Sequence, residues 1–310
     1  MSLQFVDFNA DGHEDILTAV WEGNVYLVPG SKDGFGKPEY VKDAQGKRII
    51  LSRYYDRTAR KYLSADPNKP REHLVSAIAW DWDEDGDLDL ILGAKDGQVY
   101  LRRNQGAPGA SKFETESLPL QAGDAPFSVP GGCTAPRAVD WDGDGLTDLI
   151  CGSFKGGAYW YRNTGKPGAP VFAKPVTLLK SGKNGGPETN WYVDPTDFDG
   201  DGDLDLLVGG HFMHHPKPRK LTPAESKQLV EIRAQLQEVT KEWSASHQVI
   251  RQKMSGLSKD ESRKAYSAWY QKKENKELQK KRSSLLKEMN KLVPPSTRKS
   301  GVWVYRQQNL

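Results

Sequence analysis

An acidic nine-residue motif that recurs four times constrains this chain more than any other feature of its sequence. Every copy has aspartate at positions 1, 5 and 9 and glycine at position 6, and position 3 is aspartate in all copies except the first, which has Asn9. The copies are DFNADGHED (7–15), DWDEDGDLD (81–89), DWDGDGLTD (140–148) and DFDGDGDLD (197–205). Their starts lie 74, 59 and 57 residues apart. A repeat at this spacing predicts an array of similar supersecondary units.

The sequence around each motif predicts short β-strands. In the second repeat an apolar run at 76–80 precedes the motif, and further runs follow at 89–93 and 98–102. A fourth strand is predicted to begin at Phe113, and the third repeat copies the pattern with its fourth strand at Phe172. Four short antiparallel strands with turn residues between them are typical of a β-propeller blade.

The motif D-x-D-x-D-G-x-x-D between paired strands, followed by G-x-x-x-G and V-Y, resembles the FG-GAP repeat family, also called VCBS repeats. The resemblance covers nearly all of residues 1–211 and 301–310. It implies a mostly β fold made of four calcium-binding β-propeller blades, of the kind found in integrin α-subunits and in secreted bacterial proteins. The four repeats either close as a small ring or belong to a larger propeller. An extracellular or periplasmic location is also implied. Since the chain does not begin with a signal peptide, we expect that upstream sequence was removed.

The carboxylates of each motif favour a bound cation, because acidic groups crowded into nine residues repel one another and lose solvation. Calcium takes roughly 6–8 oxygen ligands, and alternating side chains of a curled loop can supply them. We therefore predict three to four Ca²⁺ ions acting as structural clamps, with weaker binding at the first loop, where Asn9 removes one charge. The predicted side-chain ligands are Asp7, Asn9, Asp11, Asp15, Asp81, Asp83, Asp85, Asp89, Asp140, Asp142, Asp144, Asp148, Asp197, Asp199, Asp201 and Asp205. The residues expected to add a ligand at position 7, through the backbone carbonyl, are His13, Asp87, Leu146 and Asp203.

Other calcium motifs share the start of this pattern. An EF-hand requires glutamate at position 12 and flanking helices, whereas position 12 here is Thr18, Leu92, Cys151 or Val208, within β-type runs. Dockerin-like loops are also followed by helices, and thrombospondin type-3 loops are rich in cysteine. Zinc is disfavoured because cysteine and histidine ligands are scarce near the motifs. A metal-free acidic turn is the alternative that stays open.

The fourth repeat contains an insertion, predicted over residues 212–300. Its second strand begins at Asp205, whereas the sequence that matches a third strand appears only at 301–306. Thr222 and Ser258 each begin a capping-box pattern, which predicts two helices. We expect an antiparallel helical hairpin in which the second helix continues from Ser258 to the proline pair after Leu292.

Charge divides the chain into two parts. Residues 217–300 contain 21 Lys and Arg against 9 Asp and Glu, a net charge of +12, so the remainder carries −9. The basic helices leave open the binding of an anionic polymer, although a solvated coiled-coil surface also explains them, and nucleic acid is the less favoured partner. His211, His214 and His215 are a weak candidate for a transition metal because no acidic or cysteine partner lies beside them. Cys133 and Cys151 could pair in an oxidising compartment, but buried free thiols are the favoured interpretation because Cys151 lies in an apolar strand run.

A binding, adhesion or scaffold module is the function that the sequence favours. The ligand site is expected on the face opposite the calcium loops, where long links between repeats contain Tyr54, Tyr55, Tyr62, Phe127, Trp191 and Tyr192. The ligand is an unidentified protein or carbohydrate. No catalytic residue is predicted, although the propeller domain of an extracellular enzyme acting on polysaccharide remains the alternative. No apolar run reaches the length of a membrane span.

Overall fold

The apolar runs around each acidic motif form antiparallel strands in the computed structural model, which describes residues 2–66, 68, 72–132, 135–181 and 186–307. The chain divides into two compact units, Met1–Phe212 with Arg298–Leu310, and Met213–Thr297. The first unit contains the strands and all four acidic motifs. The second contains the helices. The described structure is therefore mostly β with a separate helical part.

The strands of the first unit form four sheets in chain order, and two short hairpins lie between them. The first sheet contains β1 (Ser2–Val6), β2 (Asp15–Val20), β3 (Asn24–Val28) and β4 (Glu39–Tyr40), and the hairpin β5 (Arg53–Asp56) and β6 (Lys61–Ser64) follows it. The second sheet contains β7 (Leu74–Trp80), β8 (Asp89–Ala94), β9 (Val99–Arg102) and β10 (Leu118–Pro119), followed by the hairpin β11 (Gln121–Ala122) and β12 (Ala125–Pro126). The third sheet contains β13 (Ala135–Val139), β14 (Asp148–Gly152), β15 (Gly157–Tyr161) and β16 (Val176–Lys180). The fourth contains β17 (Thr189–Thr196), β18 (Asp205–His214) and β19 (Thr297–Tyr305).

Three apolar cores lie between successive sheets. Leu17 and Leu92 are buried in the core between the first and second sheets. Ile91 and Leu149 are buried in the core between the second and third sheets. Trp191 is buried in the core between the third and fourth sheets. Because the middle sheets are covered on both faces, all six residues of β8 and all five of β14 are buried. Continuous burial of this kind explains why the strand sequences read as apolar runs rather than as alternating ones.

The first strands of successive sheets contact one another. β1 contacts β7, β7 contacts β13, and β13 contacts β17. The side chain of Gln4 in β1 donates to the carbonyl of Ala79 at 3.0 Å and accepts from its N–H at 2.7 Å. Arg137 in β13 donates to the carboxylate of Asp194 in the neighbouring β17 and to the carbonyl of Leu3 in β1, at 3.0 Å each. The first strands of the four sheets are therefore linked in series by these contacts.

The predicted starts of the fourth strands at Phe113 and Phe172 are wrong. Each of these residues makes only isolated bridges, and the paired strands begin later, at Leu118 and Val176. Both phenylalanines are buried, at 1% and 3% exposure, because their rings fill the cores between sheets. Their apolar character indicates an anchor for the loop before the strand rather than the strand itself.

The helical unit contains three helices rather than the predicted two: α1 (Pro223–Met254), α2 (Lys259–Gln271) and α3 (Lys273–Leu292). Both capping boxes are present, at Thr222 and Ser258. The second predicted helix is interrupted at Lys272, whose backbone is extended, with φ −61° and ψ 138°. None of the described helices is both long enough and apolar enough to cross a membrane.

A buried polar network explains the interruption. Asn275 is 4% exposed, and its side-chain N–H₂ donates to the carbonyl of Trp269 at 2.6 Å. Ser246 in α1 donates to the Asn275 side-chain oxygen at 2.7 Å and accepts from Trp269 Nε1 at 3.0 Å. The break satisfies these groups and buries Trp269 against Trp243. α1 packs mainly against α3, and Leu229, Ile232, Val239, Leu285 and Leu292 form their shared core.

Candidate metal sites and a pocket at the other end of the sheets

Each acidic motif forms the loop between the first and second strands of its sheet; we number these loops 1 (7–15), 2 (81–89), 3 (140–148) and 4 (197–205). The aspartate at position 1 folds the loop by accepting backbone N–H groups with both oxygens. In loop 3, Asp140 accepts from Asp144 at 3.1 Å and from Gly145 at 2.9 Å. Position 5 then accepts from the N–H of position 7, as Asp144 does from Leu146 at 2.9 Å. The acidic residues therefore shape the loop as well as charge it.

Two positions of every loop adopt left-handed backbone conformations. The predicted glycine at position 6 has φ between 87° and 95° in all four loops. Position 4 also has positive φ, at 56° in Ala10 and 58° in Glu84, where loops 3 and 4 have Gly143 and Gly200. Sequence reasoning missed this second turn position, although glycine in two of the four copies was the signal that could have revealed it.

The aspartate at position 9 is buried in every loop and ties the loop to the end of the third strand. One oxygen of Asp15 accepts from Gly30 at 2.7 Å, and the equivalent oxygens of Asp89 and Asp148 accept from Asn104 and Asn163 at 2.6 Å. The partner lies 15 residues after the aspartate in each of these three loops. In loops 1 to 3, the other oxygen accepts from the N–H of position 2.

Carboxylate oxygens converge in three of the loops. The described residues contain three clusters whose oxygens lie within 4.8 Å of one another: Asp81 with Asp83 and Asp85, Asp140 with Asp142 and Asp148, and Asp197 with Asp199 and Asp201. Loop 1, where weaker binding is expected, forms no such cluster among the residues described. An oxygen-only donor set of this kind suits a hard dication such as Ca²⁺.

Burial of the carboxylates also favours a cation. Burial raises the pKa of Asp89 to about 7, while N–H groups of Asn104 and Trp82 oppose the rise. Burial likewise raises the pKa of Asp148. The pKa of Asp87 is raised by burial and then by the charges of Asp85, Asp83 and Asp81. A dication beside these groups stabilises the ionised form that burial disfavours, so the residues present fit the calcium ion that their pattern predicts.

An arginine after the third strand pairs with the aspartate at position 3 in each of loops 2, 3 and 4. The pairs are Arg103 with Asp83 at 3.6 Å, Arg162 with Asp142 at 2.7 Å, and Arg306 with Asp199 at 3.3 Å. In the first repeat, the residue before Gly30 is Pro29, and position 3 is the uncharged Asn9. Loops 2, 3 and 4 therefore have both an aspartate at position 3 and this arginine, whereas loop 1 has neither. Sequence reasoning assigned no role to these arginines.

The remaining predicted ligands of the helical insertion do not converge. His211 Nδ1 lies 3.1 Å from the Ser300 hydroxyl, and His215 Nδ1 lies 2.7 Å from that of Ser296. No metal-binding cluster in the described part of the chain contains a histidine. Cys151 is buried and free, as interpreted, whereas Cys133 lies outside the described residues.

A pocket of about 340 Å³ lies at the other end of the first two sheets, and we call it the Trp21 pocket. It is lined by Trp21, Arg53, Tyr62, His73, Lys95 and Asp96. Trp21 lies in the turn between β2 and β3, and Lys95 and Asp96 lie in the turn between β8 and β9. These turns follow the second strand, whereas the acidic loops precede it, so pocket and loops lie at opposite ends of the sheets. Arg53 and Tyr62 come from the hairpin of β5 and β6.

The aromatic residues predicted for this end serve different purposes. Phe127 and Trp191 are buried at 1% and 2% exposure and belong to the cores. Tyr62 is 40% exposed and lines the pocket, and Tyr55 packs against it with ring centroids 5.2 Å apart. Trp21 and the buried His73 were not singled out from the sequence, because neither lies in a motif.

The repeats are similar to a known family of repeats. The family model for the FG-GAP-like repeat matches residues 81–150 and 140–208, which include loops 2, 3 and 4 with most of their strands. No curated protein matches the sequence at a significant level. The match and the equivalent loops and sheets of this segment agree with one another, so residues 81–208 are similar to the FG-GAP-like repeat.

Proposed function

We propose that this protein is a calcium-stabilised extracellular binding module, in which the four sheets are β-propeller blades and the Trp21 pocket is the ligand site. The observation that carries the proposal is the division between the two ends of the sheets. At one end, buried aspartates and backbone N–H groups lock each loop to its own sheet. At the other end, half-exposed aromatic rings and two cations line a pocket.

In this proposal the calcium ions stabilise the folded state of the protein. Loops 2, 3 and 4 hold an ion through the aspartates at positions 1, 3, 5 and 9 and the carbonyl at position 7, and loop 1 holds one more weakly. Since only the folded loop assembles these oxygens, the free energy of ion binding adds to the free energy of folding. The ion also relieves repulsion among carboxylates that burial already disfavours.

The propeller arrangement is supported by the contacts among the first strands. In a propeller, blades surround a central channel and the first strand of each blade lies nearest to it. β1, β7, β13 and β17 contact in that order, and Arg137 joins β13 to both β1 and β17. The first sheet is included as a blade, although the family match begins at residue 81, because Asp15 makes the same two hydrogen bonds as Asp89 and Asp148.

Two measurements test this function together. Thermal unfolding is recorded in excess chelator and in excess calcium, and binding is recorded on a panel of extracellular glycans and matrix proteins. We expect calcium to raise the melting temperature and at least one panel member to bind the wild-type protein but not Trp21→Ala. Asp199→Asn, in loop 4, serves as the matched control and retains binding at saturating calcium. The proposal is contradicted if calcium leaves the melting temperature unchanged, or if Trp21→Ala leaves binding to the panel unchanged.

The charge of the helical unit favours a second candidate function, which is attachment to an anionic polymer. Residues 217–300 carry a net +12, and most basic side chains of α1 and α3 are exposed. Binding of this kind weakens steeply as salt rises. Chromatography on immobilised heparin tests this function. Retention should fall as salt rises, and it should disappear when Lys280, Lys281 and Arg282 are replaced by glutamine. Elution of the wild-type protein together with neutral proteins would exclude this function.

A further inference from the structure

We propose that the Trp21 pocket binds a sugar ring that carries a single carboxylate, such as a uronic acid residue. This inference rests on the proposed function, which makes the pocket the ligand site, and it adds the chemical class of the ligand.

Exposed aromatic rings surround a cavity of limited size. Trp21 is 46% exposed and Tyr62 is 40% exposed, although both flank the pocket. Exposed indole and phenol rings offer flat apolar surfaces that a C–H face of a sugar can cover. The volume of about 340 Å³ lies near the lower limit for small-molecule sites, which run from roughly 300 to 1,000 Å³. One or two sugar rings therefore match the pocket better than a protein loop does.

Two cationic side chains lie above these aromatic rings. Lys95 Nζ lies 5.2 Å from the centroid of the Trp21 ring, and Arg53 Cζ lies 4.8 Å from that of Tyr62. Neither cation forms an ion pair with any residue that the structure describes. A ring held by the aromatic surfaces therefore lies next to two donors suited to a carboxylate.

The charge of the lining selects one negative charge rather than two. Arg53 and Lys95 contribute two positive charges, and Asp96 contributes one negative charge. Burial is the main cause that lowers the pKa of His73, and the charges of Arg53 and Lys95 lower it further, so its imidazole is neutral near pH 7. The net charge of +1 balances a carboxylate, whereas a phosphate monoester carries close to two negative charges at this pH. Asp96 also supplies an acceptor for sugar hydroxyl groups.

His73 fixes the pocket before a ligand arrives. Its ring nitrogens lie 2.8 Å from the carbonyl of Trp21 and 2.9 Å from that of Arg53, and the neutral imidazole donates its single N–H to one of these two carbonyls. The carbonyl of His73 accepts from the Lys95 N–H at 2.8 Å. One buried residue thus joins the three segments that carry the aromatic and cationic side chains. A site organised in advance loses less entropy on binding.

Gly23 allows the close approach of these segments. Its φ is +85°, and a Cβ at this position would lie 2.7 Å from the carbonyl oxygen of Arg53. The turn after β2 therefore packs directly against β5, and no larger residue fits between them.

The test compares three versions of the same ring. Isothermal titration calorimetry and saturation-transfer NMR measure binding of the methyl glycosides of glucuronic, galacturonic and mannuronic acid. Each is compared with its neutral hexose and with the hexose 6-phosphate. We expect at least one uronide to bind about tenfold more tightly than its neutral counterpart, and no phosphate to bind more tightly than that uronide. Lys95→Gln should remove the preference for the carboxylate, and Trp21→Ala should abolish binding of both forms.

Matched controls and contrary outcomes separate this inference from the proposed function. Lys32→Gln and Phe35→Ala alter an exposed lysine and an exposed aromatic ring away from the pocket, and both should bind as the wild type does. If neutral sugars or phosphates bind as tightly as uronides, or if no uronide binds while a panel ligand still requires Trp21, the inference fails and the proposed function stands. If no ligand of any class depends on Trp21, both fail.

Discussion

The buried aspartate at position 9 has a structural role that is separable from metal binding. Asp148 is fully buried and accepts from Trp141 N, Trp160 Nε1 and Asn163 N. In Asp148→Asn, the new NH₂ group faces these donors, so we expect the free energy of unfolding to fall by about 2 kcal/mol. Urea unfolding in excess chelator measures the change without calcium. Asp142→Asn is the matched control, because it alters a cluster carboxylate outside this network and should lower stability only when calcium is present.

The arginine that faces position 3 is expected to weaken calcium binding. Arg162 lies 2.7 Å from Asp142 and 3.0 Å from Asp144, so its positive charge lies beside two of the proposed calcium ligands. Removing this repulsion in Arg162→Ala should tighten binding at loop 3 on the order of threefold at moderate salt. Calcium titration by calorimetry measures the change, and Arg162→Lys, which keeps the charge, should lose most of the gain. Equal affinities in wild type and Arg162→Ala would show that the arginine has no electrostatic effect on the site.

The contribution of His73 to stability depends on pH, and its burial determines whether that contribution rises or falls with pH. Its pKa is lowered from the ordinary value of 6.5 by burial and by Arg53 and Lys95, while the carbonyls of Trp21 and Arg53 raise it. Because the folded pKa lies below the unfolded one, its stabilising contribution is complete above pH 6.5 and declines as pH falls. On acidification from pH 7.5 to 5.5, the melting temperature of the wild type should therefore fall relative to that of His73→Gln. The comparison cancels groups common to both proteins, such as Asp89, whose raised pKa acts in the opposite direction. Equal pH profiles in the two proteins would contradict this role.

The positions of the four loops could be predicted from residue types alone. The repeated Asp and Gly identified them because turns held by carboxylates and left-handed backbone conformations each require particular side chains, whereas metal binding by these loops stays a prediction. The arginine partners were missed because their relation to the loop depends on a strand register that spacing does not reveal. Ala10 and Glu84 were missed because neither residue type indicates positive φ.

At the scale of elements, the network around Asn275 determines where the predicted second helix divides. Asn275→Ala removes the acceptor of the Ser246 hydroxyl and one of the two donors to the Trp269 carbonyl, which keeps the N–H of Lys272. Losing these hydrogen bonds at a buried position should lower the stability of the helical unit by about 1–3 kcal/mol. Loss of helical circular dichroism with rising urea measures the effect. Asn290→Ala in the same helix is the control and should cost less than half as much, and equal costs would contradict the network.

The sequence contained a signal for this break that heptad spacing alone did not convey. Leu278, Leu285 and Leu292 are spaced by seven residues, but Trp269 precedes Leu278 by nine. A continuous helix would therefore rotate Trp269 away from the stripe that the leucines form. A capping signal was also absent, because Lys272 begins α3 without a side-chain hydrogen bond. Helix starts that are capped were predicted correctly, and the uncapped start was not.

At the scale of the whole molecule, one hydrogen bond shows how the helical unit is inserted. Asp205 accepts at 3.1 Å from Gln307, which lies 102 residues further along the chain, whereas the equivalent partners in loops 1 to 3 lie 15 residues further. β19 therefore occupies the place of a third strand beside β18. Repetition made this arrangement predictable, since three regular copies define what the fourth should contain. The path and packing of the helices were not predictable in the same way, because the insertion occurs once.

Removal of the inserted unit tests whether the sheets fold without it. Replacing residues 213–297 by a short Gly-Asn turn joins β18 and β19, which are already neighbours in the fourth sheet. The three apolar cores between sheets contain no residue of the deleted segment. We therefore expect a cooperatively folded protein whose melting temperature still rises with calcium, as measured by calorimetry. Because the Trp21 pocket lies wholly within residues 21–96, the shortened protein should bind any ligand of that pocket with unchanged affinity. A non-cooperative transition would instead show that the sheets need the helical unit in order to fold.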